Sequence, residues 1–76
     1  MEIRHEVAIH AQTAPRGRWQ GFRTFTPVSE AQLPDRIASA HQLVARFLTD
    51  RAYEGLRYRV VHRTITYSDW REVRHG

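Results

Sequence analysis

Residues 2–11 alternate between two faces, with Ile3, His5, Val7, Ile9 and Ala11 on one side and Glu2, Arg4, Glu6, Ala8 and His10 on the other. A repeat of two residues belongs to a half-buried β-strand. Residues 12–17 then supply Thr13, Pro15 and Gly17, a turn vocabulary that predicts a closed hairpin. The return run, 18–26, holds Trp19, Phe22 and Phe25. These cannot share a face in a regular strand, because position 22 differs in parity from 19 and 25, and a bulge at Gly21 is the expected way to change the parity.

The period changes after Thr26 and Pro27. Leu33, Ile37, Ala40, Val44, Phe47 and Leu48 recur at steps of three and four, with Arg36, Ser39, Gln42, Arg46 and Asp50 on the opposite side, so the stretch up to Gly55 reads as an amphipathic helix. Pro34 belongs in a first helical turn and Asp35 complements the positive end of the helix dipole, which places the start at Leu33 or Pro34. Ser29 and Gln32 have the spacing of a cap for a short earlier turn. Gly55 is the expected left-handed stop. Residues 56–67 form the third strand, with Leu56, Tyr58, Val60, His62 and Thr64 toward the core and Arg57, Arg59, Val61, Arg63, Ile65 and Tyr67 outward. The tail, 68–76, is expected either to add a short extension through Trp70 and Val73 or to fray.

The order ββαβ restricts the topology. Strand one runs up, strand two down, the helix returns, and strand three pairs antiparallel with strand one. The predicted fold is therefore α+β: a three-stranded antiparallel sheet in the order 2-1-3 with one helix packed on one face. The whole chain, 1–76, reads as one small domain with a core spanning about 2–67. One sheet face is left bare, to be wetted, covered by the tail or covered by a partner.

Composition narrows what that face can do. The chain has 76 residues, 41% hydrophobic and 26% charged, as folded domains do, and no cysteine, which removes disulfides and thiolate chemistry. All twelve cationic side chains are Arg, and the formal net charge is +4. Guanidinium groups grip phosphates and carboxylates in a bidentate fork. Complete absence of Lys, even on the helix's solvent side, instead favours a GC-rich coding source. The net charge is +1 over residues 1–30, zero over 31–55 and +3 over 56–76, so the excess sits on the third strand and the tail. No run of residues reaches the length of an apolar membrane span, and residues 1–10 lack the basic start and continuous apolar run of a secretory signal. The expectation is a cytoplasmic protein without membrane contact.

The bare face is expected to present Arg57, Arg59, Val61, Arg63, Ile65 and Tyr67, with Trp70 beyond them, and these residues form the candidate interaction surface. Three uses compete. Glu2 and Glu6 of strand one can pair with Arg59 or Arg63 to leave a solvated, self-neutralised surface. Arg, Tyr and Trp beside Val61 and Ile65 suit a protein partner. Arginines interleaved with rings also suit single-stranded nucleic acid, although no RNP-type motif, zinc finger or Gly-x-x-Gly clamp accompanies them. The third strand is a long edge in the 2-1-3 order, open to pairing with a second copy in a homodimer, or guarded against it by its arginines. An enzyme is not expected. His5 and His10 point to opposite faces, His62 shares the side of His5 and can face His41, and Ser68, Asp69 and His75 lie in the tail without a supporting frame. No cofactor or metal is expected.

The segment Tyr58-Arg59-Val60-Val61-His62-Arg63-Thr64-Ile65-Thr66-Tyr67-Ser68-Asp69-Trp70 resembles the C-terminal part of short proteins from bacteriophages of GC-rich actinobacterial hosts. The resemblance covers about thirteen residues and assigns no site. It implies a role in binding a host or viral protein in the host cytoplasm. DNA mimicry, which needs an acidic surface, does not suit this basic chain.

Overall fold

A computed structural model of the chain describes residues 1–13, 17–53 and 55–74. Its order is β1 (Glu2–Gln12), β2 (Gln20–Thr24), a single 3-10 turn (Glu30–Gln32), α1 (Leu33–Leu48), a second 3-10 turn (Arg51–Tyr53) and β3 (Arg57–Tyr67). The sheet is antiparallel in the order β2-β1-β3, as the sequence predicts. The expected turn at 12–17 falls partly outside the described residues. At its flanks, the Gln12 side-chain amide donates to the Gly17 carbonyl.

β1 and β3 pair without interruption from Glu2 opposite Tyr67 to Gln12 opposite Arg57. β1 and β2 pair from Ala8 opposite Thr24, and the register slips between Ile9 and His10, whose partners are Arg23 and Gly21. The extra residue is Phe22. This is the parity change expected near Gly21, and it turns the Phe22 ring to the helix side, edge-on to Phe47 and Tyr58 at centroid distances of 5.2 and 5.4 Å.

The odd residues of β1 make the sheet's contribution to the core: Val7 and Ile9 are 0% exposed and Ala11 is buried. Ala40 and Phe47 meet them from α1, with Leu33, Ile37, Leu43, Val44, Phe22, Phe25, Tyr58 and Val60 packed around. Full burial of a large apolar side chain such as Val7 or Ile9 stabilises by roughly 1.5–3 kcal/mol, and the partly buried ones contribute less. The Ser29–Gln32 cap forms: the Ser29 backbone N–H and hydroxyl both approach Gln32 Oε1, at 3.4 and 3.3 Å. Pro34 lies in the first turn of α1.

Four local expectations are corrected. The helix ends at Leu48, well before Gly55, because the Thr49 hydroxyl donates to the Arg46 carbonyl at 2.8 Å and Asp50 Oδ1 accepts the Ala52 N–H at 2.9 Å, side-chain bonds that replace the next helical turn. Gly55 is nevertheless left-handed, at φ 87°, at the entry to β3. Leu48 lies outside the core, 66% exposed, and Leu43 takes the expected inward place. Arg36, expected on the solvent side, is half-buried, with its guanidinium carbon 5.6 Å from the Phe25 ring centroid. His62 and Thr64 keep the predicted parity yet stay exposed, because burial on that side of β3 fades beyond Val60.

Candidate interaction surface

The β1–β3 register fixes which residues share the face opposite α1. Since Val7 and Ile9 face the helix, the even residues of β1 face away, and with them their partners Arg57, Arg59, Val61, Arg63, Ile65 and Tyr67. All six expected β3 residues therefore lie on one side of the sheet. Trp70 does not join them: it lies past the strand end, fully exposed, beside a cleft of about 730 Å³ that Met1, Glu2, Tyr67 and Arg71 also line.

The arginines are largely engaged within the chain. Arg63 Nε donates to Glu6 Oε1 at 2.7 Å, a directly opposed cross-strand pair in which the Glu6 side chain is 15% exposed. Glu2 pairs along its own strand with Arg4 rather than across to Arg59. Arg59 lies over the Trp19 ring, with its guanidinium carbon 4.4 Å from the centroid. This stacking joins β3 to the approach to β2, across the intervening strand. Arg57 has neither an acidic nor an aromatic partner among the described residues.

Between these side chains the sheet has a trough of about 340 Å³. Its floor is Ala8, whose methyl is shorter than its neighbours Glu6 and His10 along the strand and Thr24 and Val61 across it. Ala8 is only 9% exposed. Val61 and Ile65 are half-buried on this outer side. His10 Nδ1 is buried without a hydrogen-bond partner among the described residues. The trough thus offers a small apolar floor and one carboxylate already held by Arg63.

On the helix side, His5 and His62 meet, with Nδ1 of the first 3.0 Å from Nε2 of the second and the rings stacked at 5.2 Å. Parity alone put them on one face. His41 is exposed on α1 and His75 lies outside the described residues. Asp69 binds the Met1 amino group at 2.6 Å. Among the described residues, no group of three or more His, Cys, Asp or Glu is arranged to hold a metal ion, and no helix is long and apolar enough to cross a membrane.

Sequence reading missed the Arg59–Trp19 stack and the Ala8 trough. Both need the register of three strands at once, which alternation within one strand does not carry. Comparison with family models, with curated proteins and with solved structures finds no match, so the residues of this chain alone carry the functional reading.

Proposed function

We propose that the chain is a non-enzymatic interaction module that binds a protein partner through the outer face of β3, with the Ala8 trough as the socket for one partner side chain. The observation that carries the reading is a shallow, partly apolar depression over Ala8 and Val61 that Arg63 borders, with Arg59 next along the same face of β3. An apolar centre bounded by Arg suits a protein-binding hot spot. The role as a phage accessory protein, which the resemblance over 58–70 implies, belongs to the same proposal and makes the partner a host or viral protein.

Single-stranded nucleic acid is the rival reading, and the side-chain geometry weighs against it. Glu2 and Glu6 hold Arg4 and Arg63, and one face of the Trp19 ring is already taken by Arg59. Phosphate binding needs cations free to release counterions, and base stacking needs open ring faces.

The test compares partner capture by the wild type, Ala8→Leu, Arg59→Glu/Arg63→Glu, and the control Gln42→Glu on the helix's exposed side. Loss of the same partner from the first two variants but not from the control supports the face. An unchanged partner list in both overturns it. Retardation of single-stranded oligonucleotides at low salt, lost with a log–log slope of about one per phosphate contact, establishes the rival instead.

A further inference from the structure

The backbone of β3 presents an unpaired edge among the described residues, separate from its outer face. In β1 the odd residues direct their backbone groups toward the β2 side: His5 N–H donates to the Val28 carbonyl at 2.8 Å, Val28 N–H returns to His5 at 2.9 Å, and Phe25 N–H donates to the Val7 carbonyl at 3.1 Å. The even residues Glu6, Ala8 and His10 therefore bond to β3, and their partners Arg63, Val61 and Arg59 hold that ladder. Val60, His62, Thr64 and Thr66 must turn their N–H and C=O groups the other way. Among the described residues, no strand pairs with that edge.

Edge strands of this length are usually blunted by Pro, a bulge, or a charge pointing inward. The eleven residues of β3 contain no Pro or Gly and pair with β1 without a bulge. The arginines do not guard the edge either, since their side chains stand on the outer face rather than in the plane of the sheet.

We propose that this edge pairs with β3 of a second copy of the chain, antiparallel, about a two-fold axis at His62, giving a continuous six-stranded sheet. The proposal shares β3 with the function proposed above but uses its edge, leaving both outer faces open. In this register Val60 faces Thr64 of the second copy and His62 faces its own counterpart. These pairs and their symmetry mates supply roughly six backbone hydrogen bonds. On the outer face, Arg57 falls opposite Tyr67 of the second copy, Arg59 opposite its Ile65, and Arg63 opposite its Val61. Every outward arginine of β3 thus meets an aromatic or aliphatic side chain, and none meets another arginine directly.

Neighbouring registers lack this complementarity. An axis at Val60 sets Arg57 against Arg63 of the second copy, a like-charge pair directly opposed. An axis at Thr64 shortens the paired stretch to about seven residues. The helices do not obstruct the pairing. With α1 seated over Val7 and Ile9 of β1 and also against Tyr58 and Val60 of β3, the two helices stand between two and three strand spacings apart, roughly 10–14 Å, at or beyond the 8–10 Å of helices in contact. The channel between them contains the two His5–His62 pairs, face to face across the axis.

The chain has no cysteine, so disulfide trapping reads the register directly. Residues 59 and 65 of opposite copies form a non-hydrogen-bonded pair with Cα atoms about 4.5 Å apart, within disulfide reach. Two copies of residue 59, or two of residue 65, lie about 20 Å apart. Mild oxidation of a mixture of Arg59→Cys and Ile65→Cys proteins is expected to yield a cross-linked species of twice the 9.0 kDa chain mass, and neither protein alone is. Equal cross-linking of the separate proteins, or none in the mixture, overturns the register. Sedimentation of the unmodified chain tests the dimer itself: a monomer at about 100 µM, where a Kd of about 1 µM would leave nearly all chains paired, overturns it. Thr64→Pro removes an edge N–H that β1 does not use, so it is expected to keep the circular-dichroism spectrum while weakening the dimer at least ~10-fold. A folded Thr64→Pro protein that dimerises as before overturns the proposal. A monomeric wild type whose partner capture is still lost with Ala8→Leu removes the dimer alone and leaves the reading of the outer face standing.

Discussion

Glu6 has a place unlike that of Glu2, the other acid on the sheet, because its side chain is largely covered while its partner Arg63 stays exposed. Removing Glu6 leaves an arginine that water can solvate, whereas removing Arg63 leaves a covered carboxylate with one fewer donor. Arg63→Ala is therefore expected to destabilise more than Glu6→Gln. A double-mutant cycle in urea should return a coupling of about 1 kcal/mol that declines with added salt. Equal single-variant effects with no coupling would show the pair to be incidental. The two central glycines separate in the same way. Gly21 has open space where a Cβ would stand, and Gly55 holds φ 87°. Gly21→Ala should stabilise by about 0.4–1 kcal/mol through the unfolded chain, while Gly55→Ala should cost at least as much, as measured by thermal unfolding.

At the scale of elements, the start of α1 was legible and its end was not. Pro34, Asp35 and the Ser29–Gln32 spacing are local signals, each readable within four residues. The stop depends on whether Thr49 and Asp50 side chains outcompete helical backbone bonds, a contest that hydrophobic periodicity does not register. Leu48 accordingly looked like core and is solvent-facing. Leu48→Gln is expected to change stability by no more than about 0.5 kcal/mol, whereas Phe47→Ala should cost about 3 kcal/mol or more, since its ring contacts Phe22 and Tyr58. A large loss from Leu48→Gln in a denaturant titration would mean that the helix continues toward Gly55. The order of elements gave the sheet order, and strand parity gave the shared side of His5 and His62 and the whole outward row of β3, but not that His62 would meet His5 rather than His41. It could not give the Arg59–Trp19 stack, because the bulge at Phe22 sets the phase of the approach to β2.

The whole molecule is longer than its residue count implies. Its Cα radius of gyration is 16.7 Å and its extents are 57 × 30 × 18 Å, against about 11 Å for a compact chain of this size. Two lengths account for much of the difference. The eleven-residue strands β1 and β3 span roughly 36 Å and the sixteen-residue helix roughly 24 Å, so the ribbon outruns its cover. Ile3 and Tyr67 are exposed at that end, and residues 68–74 extend it further, tied by the Met1–Asp69 pair, both of whose members are mostly in water. An ion pair this exposed contributes little to folding. Ending the chain after Tyr67 is therefore expected to leave the unfolding free energy within about 0.5 kcal/mol while lowering the radius of gyration in small-angle scattering, both measured at a concentration where the protein is monomeric. It removes Trp70 and Val73 and leaves the Ala8 trough and the β3 edge intact, so partner capture through the outer face should persist. A stability loss above about 2 kcal/mol would instead make the tail part of the packed structure, with the exposed Trp70 seated only when that packing forms.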